Sequence, residues 1–433
     1  KSKKMSNYDF TNEPDLDKNA LITRRSASEG MVLLKNEATL PFKNIKNIAL
    51  MGSTSFNFIA GGTGSGDVEE AYTVSLEDAL IESGYEINKL SKETFELHLK
   101  ENEEAFEKKN PLFAMLDPSL PPEIDYPIKL IKEFAKTSDL AIITIGRNSG
   151  ETSDRLEKDD FLLSKKESQM IKNTCEIFHS LGKKVLIVLN VGGVIETASW
   201  DDLPDAILVA WQAGQESGNS VVDIISGVVN PSGKLPMTFP VNLSDHGSAK
   251  NFPSGIKATM TDFLMASIIG SSEEKPKQEQ TKNIDYTIYE EGVYVGYRHF
   301  DKKEIDVSYP FGYGLSYTEF DYSDLKIKEE ENVIKVTVKI TNIGSFPGKE
   351  VIQIYTSKPD SNIDRPIKEL RSFEKTSNIQ VGESINLNFN IPISELSYWS
   401  VKNSSWEIEK GVYDILVGSS SRDIELIGQV YIN

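Results

Sequence analysis

A single cysteine, Cys175, stands in 433 residues, so no disulfide framework can form within the chain. It falls on an amphipathic helical pattern with apolar, base-free neighbours, which reads as a core position rather than a nucleophile. Histidine is almost as scarce: His98, His179, His246 and His299 are scattered, with no HxH or HExxH spacing. No metal site is expected from such a set, and no organic cofactor is implied. No run approaches the roughly 18 to 20 apolar residues that span a bilayer, and no signal-peptide core is present. Positive charge is in deficit, 47 Lys and Arg against 66 Asp and Glu, for a net charge of −19. That balance argues against nucleic acid and anionic membranes as partners and fits neutral or cationic ligands. The chain opens Lys-Ser-Lys-Lys rather than with Met, so it reads as a processed or excised piece of a soluble protein, expected in the cytoplasm.

What is present is enough to build real cores, since apolar residues make up 39% of the chain. Its length suggests two or three domains. Residues 1–18 are polar and read as a linker arm that lies along another surface. A helix is expected from about Asp15 to Met31, running on into Val32-Leu-Leu34-Lys-Asn. The runs Ile48–Met51, Leu140–Ile145, Val185–Leu189 and Ala206–Ala210 are short and continuously apolar. They alternate with helical patterns over Val74–Ser83, Ser164–Leu181 and Gly218–Gly227. Strands without polar alternation are covered on both faces, so residues 19–245 read as an α/β sandwich, a mostly parallel sheet between helices.

Residues 246–319 read as an insertion and interdomain connector, with a charged loop over Ser272–Lys282. From about Phe320 the apolar period changes to two. Asn332–Thr341, Val351–Tyr355, Ile385–Phe389 and Gly411–Val417 all alternate, with turn signals between them. Residues 320–433 therefore read as an all-β sandwich.

The segment with most chemical promise is Gly146-Arg-Asn-Ser-Gly150-Glu151-Thr-Ser-Asp154-Arg155, directly after the Leu140–Ile145 strand. Ligands of open α/β sheets sit beyond the carboxyl ends of the strands. A carboxylic acid placed there can donate a proton to a leaving group if its surroundings raise its pKa. The bland alternative is that Glu151 merely pairs with Arg147 or Arg155. Asp154 and Arg155 read as scaffolding that locks the loop by charge-assisted hydrogen bonds.

Gly61-Gly62-Thr63-Gly64-Ser65-Gly66-Asp67 is a second candidate. Its glycines let a backbone pass close to a ligand, to which it would present amides and a hydroxyl. A flexible turn is the plain alternative. A phosphate cradle fits poorly, because the spacing is not GxGxxG and no Lys-Ser/Thr follows. Glu216, in Trp211-Gln-Ala-Gly-Gln-Glu-Ser-Gly218, reads as a structural carboxylate at a helix N-terminus.

Taken together these segments resemble the C-terminal two-thirds of a glycoside hydrolase family 3 enzyme of the β-glucosidase type. The residues that carry the resemblance are Ala27–Asn36, Gly61–Asp67, Gly150-Glu151-x-x-Asp154-Arg155, Trp211–Gly218, Asn230-Pro-Ser-Gly-Lys-Leu-Pro236, Tyr294-Val-Gly-Tyr-Arg298 and Phe311–Thr318, in the family's order. The resemblance implies a barrel bearing a nucleophilic Asp, then an α/β sandwich bearing the acid/base Glu, then a fibronectin type III-like sandwich. By that match Glu151 would be the acid/base. Thr63, Ser65 and Asp67 would border a β-glucoside or oligosaccharide, and Asp154 and Arg155 would support the loop.

A barrel takes about 250 residues, and none fits before residue 20. The resemblance therefore implies an absent nucleophile, inactivity of this polypeptide alone and a barrel partner supplied by another chain or by a missing N-terminal portion. A homo-oligomer stays open. A non-catalytic carbohydrate-binding or scaffold protein, and a nucleotide-binding protein using Gly61–Gly66, stand as alternatives.

Overall fold

The computed structural model describes residues 12–63, 66–68, 70–107, 120–148, 155–251 and 288–433. Most of the arm (residues 1–11), Ser65, Glu151, Asp154 and the 252–287 segment lie outside the described residues. None of the described helices is long and apolar enough to cross a membrane.

The first part of the chain is a six-stranded sheet between two helical layers. Helix α1 (Leu16–Gly30) starts at Asp15, whose carboxylate accepts the N–H of Lys18 at 3.0 Å. It feeds strand β1 (Val32–Asn36). Then follow β2 (Asn47–Met51), β3 (Glu86–Ile87), β4 (Leu140–Arg147), β5 (Lys184–Val191) and β6 (Ala206–Val209), in the order β1-β6-β5-β4-β2-β3. All neighbours run parallel except β1, an antiparallel edge on β6 with Val32 opposite Val209.

The continuous apolar runs are two interleaved sets. Ala141, Ile143, Ile145, Val185, Ile187 and Leu189 face one core, while Leu140, Ile142, Leu186 and Val188 face the other. Side chains alternate across a strand, so a strand covered on both sides must be apolar at every position. Helices α2 (Leu76–Glu82) and α7 (Ser217–Ile225) fill the second core; α3 (Lys89–Glu101), α5 (Ile128–Thr137) and α6 (Lys165–Ser180) fill the first, and a short turn α4 (Glu103–Phe106) follows α3. Cys175 lies buried on α6, among the apolar residues of that core.

Between the two parts the described residues form β7 (Phe239–Pro240), α8 (Tyr297–Lys302) and β8 (Val307–Tyr309). The second part is a sandwich of a three-stranded and a four-stranded sheet. The first is β13-β10-β9 (Ser384–Pro392, Val333–Asn342, Phe320–Glu330). The second is β12-β11-β16-β17 (Glu369–Lys375, Val351–Ser357, Gly411–Gly418, Ile424–Ile432). A small hairpin, β14 (Tyr398–Ser400) with β15 (Ser405–Glu407), stands apart from both sheets. On β10 the period of two is complete: Ile334, Val336, Val338 and Ile340 are buried. Each such side chain contributes about 1.5–3 kcal/mol of burial.

The two parts are bolted together. Lys234 pairs with Glu350 at 2.8 Å with both side chains nearly buried. Glu29 of α1 takes both Lys349 and Lys375, and the Gln353 amide donates to the carbonyls of Gly312 and Ser419.

Candidate functional site

The carboxyl ends of the parallel strands are packed too tightly for ordinary residues. Gly52, just beyond β2, has φ +89° and approaches Thr144 so closely that a Cβ would lie 2.3 Å from its carbonyl oxygen. A Cβ on Gly146, in β4, would lie 2.3 Å from Cγ2 of Thr54. The strand neighbour of Gly146 is Asn190 of β5, which is fully buried. Its Oδ1 accepts the N–H of Ile59 at 2.7 Å, and its Nδ2 donates to the carbonyls of Ile59 at 3.0 Å and Trp211 at 2.8 Å. Ile59 leads into the Gly61–Asp67 run and Gly146 into the 147–155 loop. Asn190 thus holds the root of the glycine run with its side chain and lies beside Gly146 in the sheet.

The flanks of the 148–154 segment are held by carboxylates. Arg147 makes a bidentate pair with Glu167 of α6 at 2.6 and 2.9 Å, both side chains buried. Glu167 also accepts the N–H of Ser164 at 2.7 Å, closing the capping box that starts α6. Asp160 joins the two ends of the segment. Its carbonyl accepts Nε of Arg147 at 2.6 Å, while its carboxylate pairs with Arg155 and accepts the N–H of Leu156 at 2.8 Å. The carbonyl of Arg147 accepts the N–H of Gly192 at 3.3 Å and the Gln212 amide at 3.4 Å. Among the described residues Arg155 is paired with Asp160. Glu151 and Asp154 lie outside the described residues.

The glycine run borders a cleft of about 520 Å³, lined by Gly61, Gly62, Gly66, Asp67, Gly214 and Gln215 among others, with the first turns of α1 on its other side. Gly214 N–H donates to Ala60 O at 2.9 Å, tying this run to the turn that opens α7. Glu216, in that turn, is buried and accepts from the Tyr72 hydroxyl and from Nδ2 of Asn219 at 2.8 Å. Asp67 lines the cleft; Thr63 is described but is not part of the cleft wall, and Ser65 is not described.

Three residues at the strand ends escaped the sequence reading. Asn190 had a faint signal, a polar residue directly after the apolar run of β5. Asp160 had a better one, an Asp-Asp pair shortly after Arg155. Glu123 had none. Its carboxylate accepts the N–H of Ile124 at 2.7 Å, the N–H of Ser53 at 3.0 Å and the Ser53 hydroxyl at 3.3 Å. Burial pushes this carboxyl up to about 7, helped by the charge of Glu167 and opposed by the donors from Ile124 and Ser53. Among the described residues no three His, Cys, Asp or Glu side chains come together to hold a metal ion.

Known proteins match this chain along almost all of its length. Residues 31–317 match the family model for the Glycosyl hydrolase family 3 C-terminal domain, and residues 350–421 that for the Fibronectin type III-like domain. The chain is 32% identical to beta-glucosidase A of Butyrivibrio fibrisolvens over 94% of its own length and 50% of that protein. It is 31% identical to thermostable beta-glucosidase B of Acetivibrio thermocellus, covering 97% of this chain and 49% of that one. The structure of beta-glucosidase 3B from Thermotoga neapolitana in complex with alpha-D-glucose superposes with a TM-score of 0.86 at 39% identity, over 98% of this chain and 56% of that one. The chain spans about half the length of the curated relatives it matches. A family model over most of the chain and these relatives over nearly all of it place the protein in glycoside hydrolase family 3, of which it carries the C-terminal α/β domain and the fibronectin type III-like domain.

Proposed function

We propose that this chain is the acid/base-bearing part of a retaining β-glucosidase, with Glu151 as the proton donor and acceptor. The substrate is a terminal β-linked glucosyl residue, and the nucleophilic Asp comes from a barrel domain in another chain or in a missing N-terminal portion. In the first step Glu151 protonates the glycosidic oxygen as the nucleophile attacks the anomeric carbon. In the second it takes a proton from water, which releases the sugar from the glycosyl-enzyme. Thr63, Ser65 and Asp67 border the sugar, and Asp154 and Arg155 hold the Glu151 loop. The two carboxyl groups of a retaining pair stand about 5–5.5 Å apart across the bond, so the chain by itself is inactive.

The observation that carries this reading is the convergence at Asn190. The root of the glycine run is held by the buried Asn190 amide, and Asn190 is the register partner of Gly146 in the strand that precedes Glu151. A second support is that Arg147 and Arg155 already have partners in Glu167 and Asp160.

The test is reconstitution. The chain is mixed with a matching family 3 barrel fragment and assayed on an aryl β-glucoside. Activity is expected only in the mixture. It should fall at least a hundredfold for Glu151→Gln, and azide should restore turnover of Glu151→Ala on an activated aryl glucoside. Sugar binding with no turnover in any mixture would overturn the reading in favour of a non-catalytic binding protein.

A further inference from the structure

The small hairpin β14–β15 presents two tryptophans directly across from each other, Trp399 and Trp406. They are 50% and 69% exposed. Their centroids are 5.6 Å apart and their planes 74° apart, an edge-to-face pair. In this arrangement the edge-on ring keeps both faces off its partner, so flat indole surface stays open to solvent. Val401, at the turn, is 83% exposed beside them.

The opposite face of the hairpin is tied down. Tyr398 lies opposite Glu407, and the Glu407 carboxylate accepts from the Tyr398 hydroxyl at 2.9 Å and from Nδ2 of Asn403 at 2.5 Å. Because residues alternate across a strand, this network fixes the backbone from one side while the indoles project from the other. The arrangement is a rigid mount with exposed aromatic faces.

We infer that the Trp399–Trp406 hairpin is an accessory binding surface for neutral β-glucan chains, separate from the sheet-end cleft. The choice of sugar rests on the glycosidase reading above; the choice of a sugar over a protein rests on area and charge. A tryptophan covers up to about 250 Å², so at these exposures the pair offers about 300 Å². A stable protein interface needs about 800 Å² from each partner. A pyranose ring needs far less: its axial C–H face lies flat on one aromatic ring. The polymer is neutral because the chain carries −19, which opposes anionic polysaccharides and nucleic acids.

The experiment is native affinity electrophoresis of the full chain through gels containing soluble mixed-linkage β-glucan, with cellopentaose titrations read by tryptophan fluorescence. The wild type is expected to be retarded, and Trp399→Ala/Trp406→Ala to lose at least tenfold in affinity. Trp399→Tyr/Trp406→Tyr keeps the aromatic pair in the hairpin and is expected to retain part of the binding, which separates ring loss from hairpin collapse. Glu151→Gln is expected to bind like the wild type. No retardation of the wild type, or full retardation of the alanine pair, would overturn the inference. So would self-association in sedimentation that disappears in the alanine pair, since a second copy would then be the occupant. The readout is binding and needs no barrel, so failure of reconstituted turnover leaves it standing. Turnover without retardation removes this inference alone.

Discussion

Replacing Glu123 with glutamine should change how stability depends on pH far more than it changes stability itself at acid pH. The carboxyl sits where β2 ends, with one oxygen accepting the N–H groups of Ser53 and Ile124 and the other beside the Ser53 hydroxyl. These donors favour the charged form, and burial outweighs them. Burial raises the group from its ordinary 4.5 to about 7 in the fold. At about 1.4 kcal/mol per pH unit that difference amounts to about 3 kcal/mol.

The sign follows from proton binding. Below pH 4.5 both states hold the proton and nothing distinguishes them. Between 4.5 and 7 the unfolded chain has released it while the folded chain keeps it, so stability falls as pH rises; above 7 the loss is complete. Glutamine keeps one acceptor and one donor in the same place and never ionises. In urea titrations at pH 4.5 to 8.5, Glu123→Gln should gain on the wild type by about 3 kcal/mol across the range, with most of the change between pH 5 and 7. Parallel stability curves for the two proteins would refute the assignment of a raised, buried acid at this position.

Three other perturbations probe the same end of the sheet. Asp160→Asn removes the carboxylate that pairs with Arg155; this pair is partly exposed, so the loss of stability is about 1 kcal/mol or less. The reconstituted enzyme, however, should lose roughly ten- to a hundredfold in kcat with little change in KM, because the loop bearing Glu151 drifts. Gly146→Ala drives a methyl to within 2.3 Å of Thr54 and should cost about 1–3 kcal/mol; adding Thr54→Ser should recover part of it, and strict additivity in denaturation would contradict the clash. Asn190→Ala strips partners from Ile59 and from the Trp211 carbonyl in a buried site. It should cost about 3 kcal/mol or more in the same assay, and a loss below ~1 kcal/mol would show that water replaces the amide.

Much of this architecture was readable because two-sided burial and one-sided burial write different patterns. The runs at Leu140–Ile145 and Val185–Leu189 carry no polar alternation and proved to be strands with a helical layer on each face. Residues 333–342 alternate strictly and proved to have one buried face. What stayed hidden depends on pairings far apart in the chain. The antiparallel edge strand β1 follows a helix without a break in the apolar pattern, and only its pairing with β6 makes it a strand. The partner of Arg147 is Glu167, on a helix whose start it also caps; local spacing had offered only Glu151. The raised pKa of Glu123 comes from burial that no local motif encodes, and it holds against the donors of Ser53, 70 positions away.

The pairing of the two arginines bears directly on whether Glu151 can do the work proposed for it. An acid catalyst must carry its proton near neutral pH, and an unneutralised guanidinium within a few ångströms lowers a carboxyl by about 1–3 pH units. Two such groups flank the loop. Arg147 is spent on Glu167 in a buried bidentate pair, and Arg155 on Asp160. Each therefore contributes close to a neutral pair, not a bare positive charge. The loop gains two rigid anchors without the electrostatic penalty that two free cations would impose on a proton donor. On this argument Asp160→Asn harms catalysis twice, by loosening the loop and by exposing Glu151 to the released charge of Arg155. The alkaline limb, governed by the free-enzyme acid, should then shift to lower pH in the kcat/KM profile of the reconstituted enzyme. An unchanged profile with reduced kcat would leave the anchoring role of Asp160 and remove the electrostatic one.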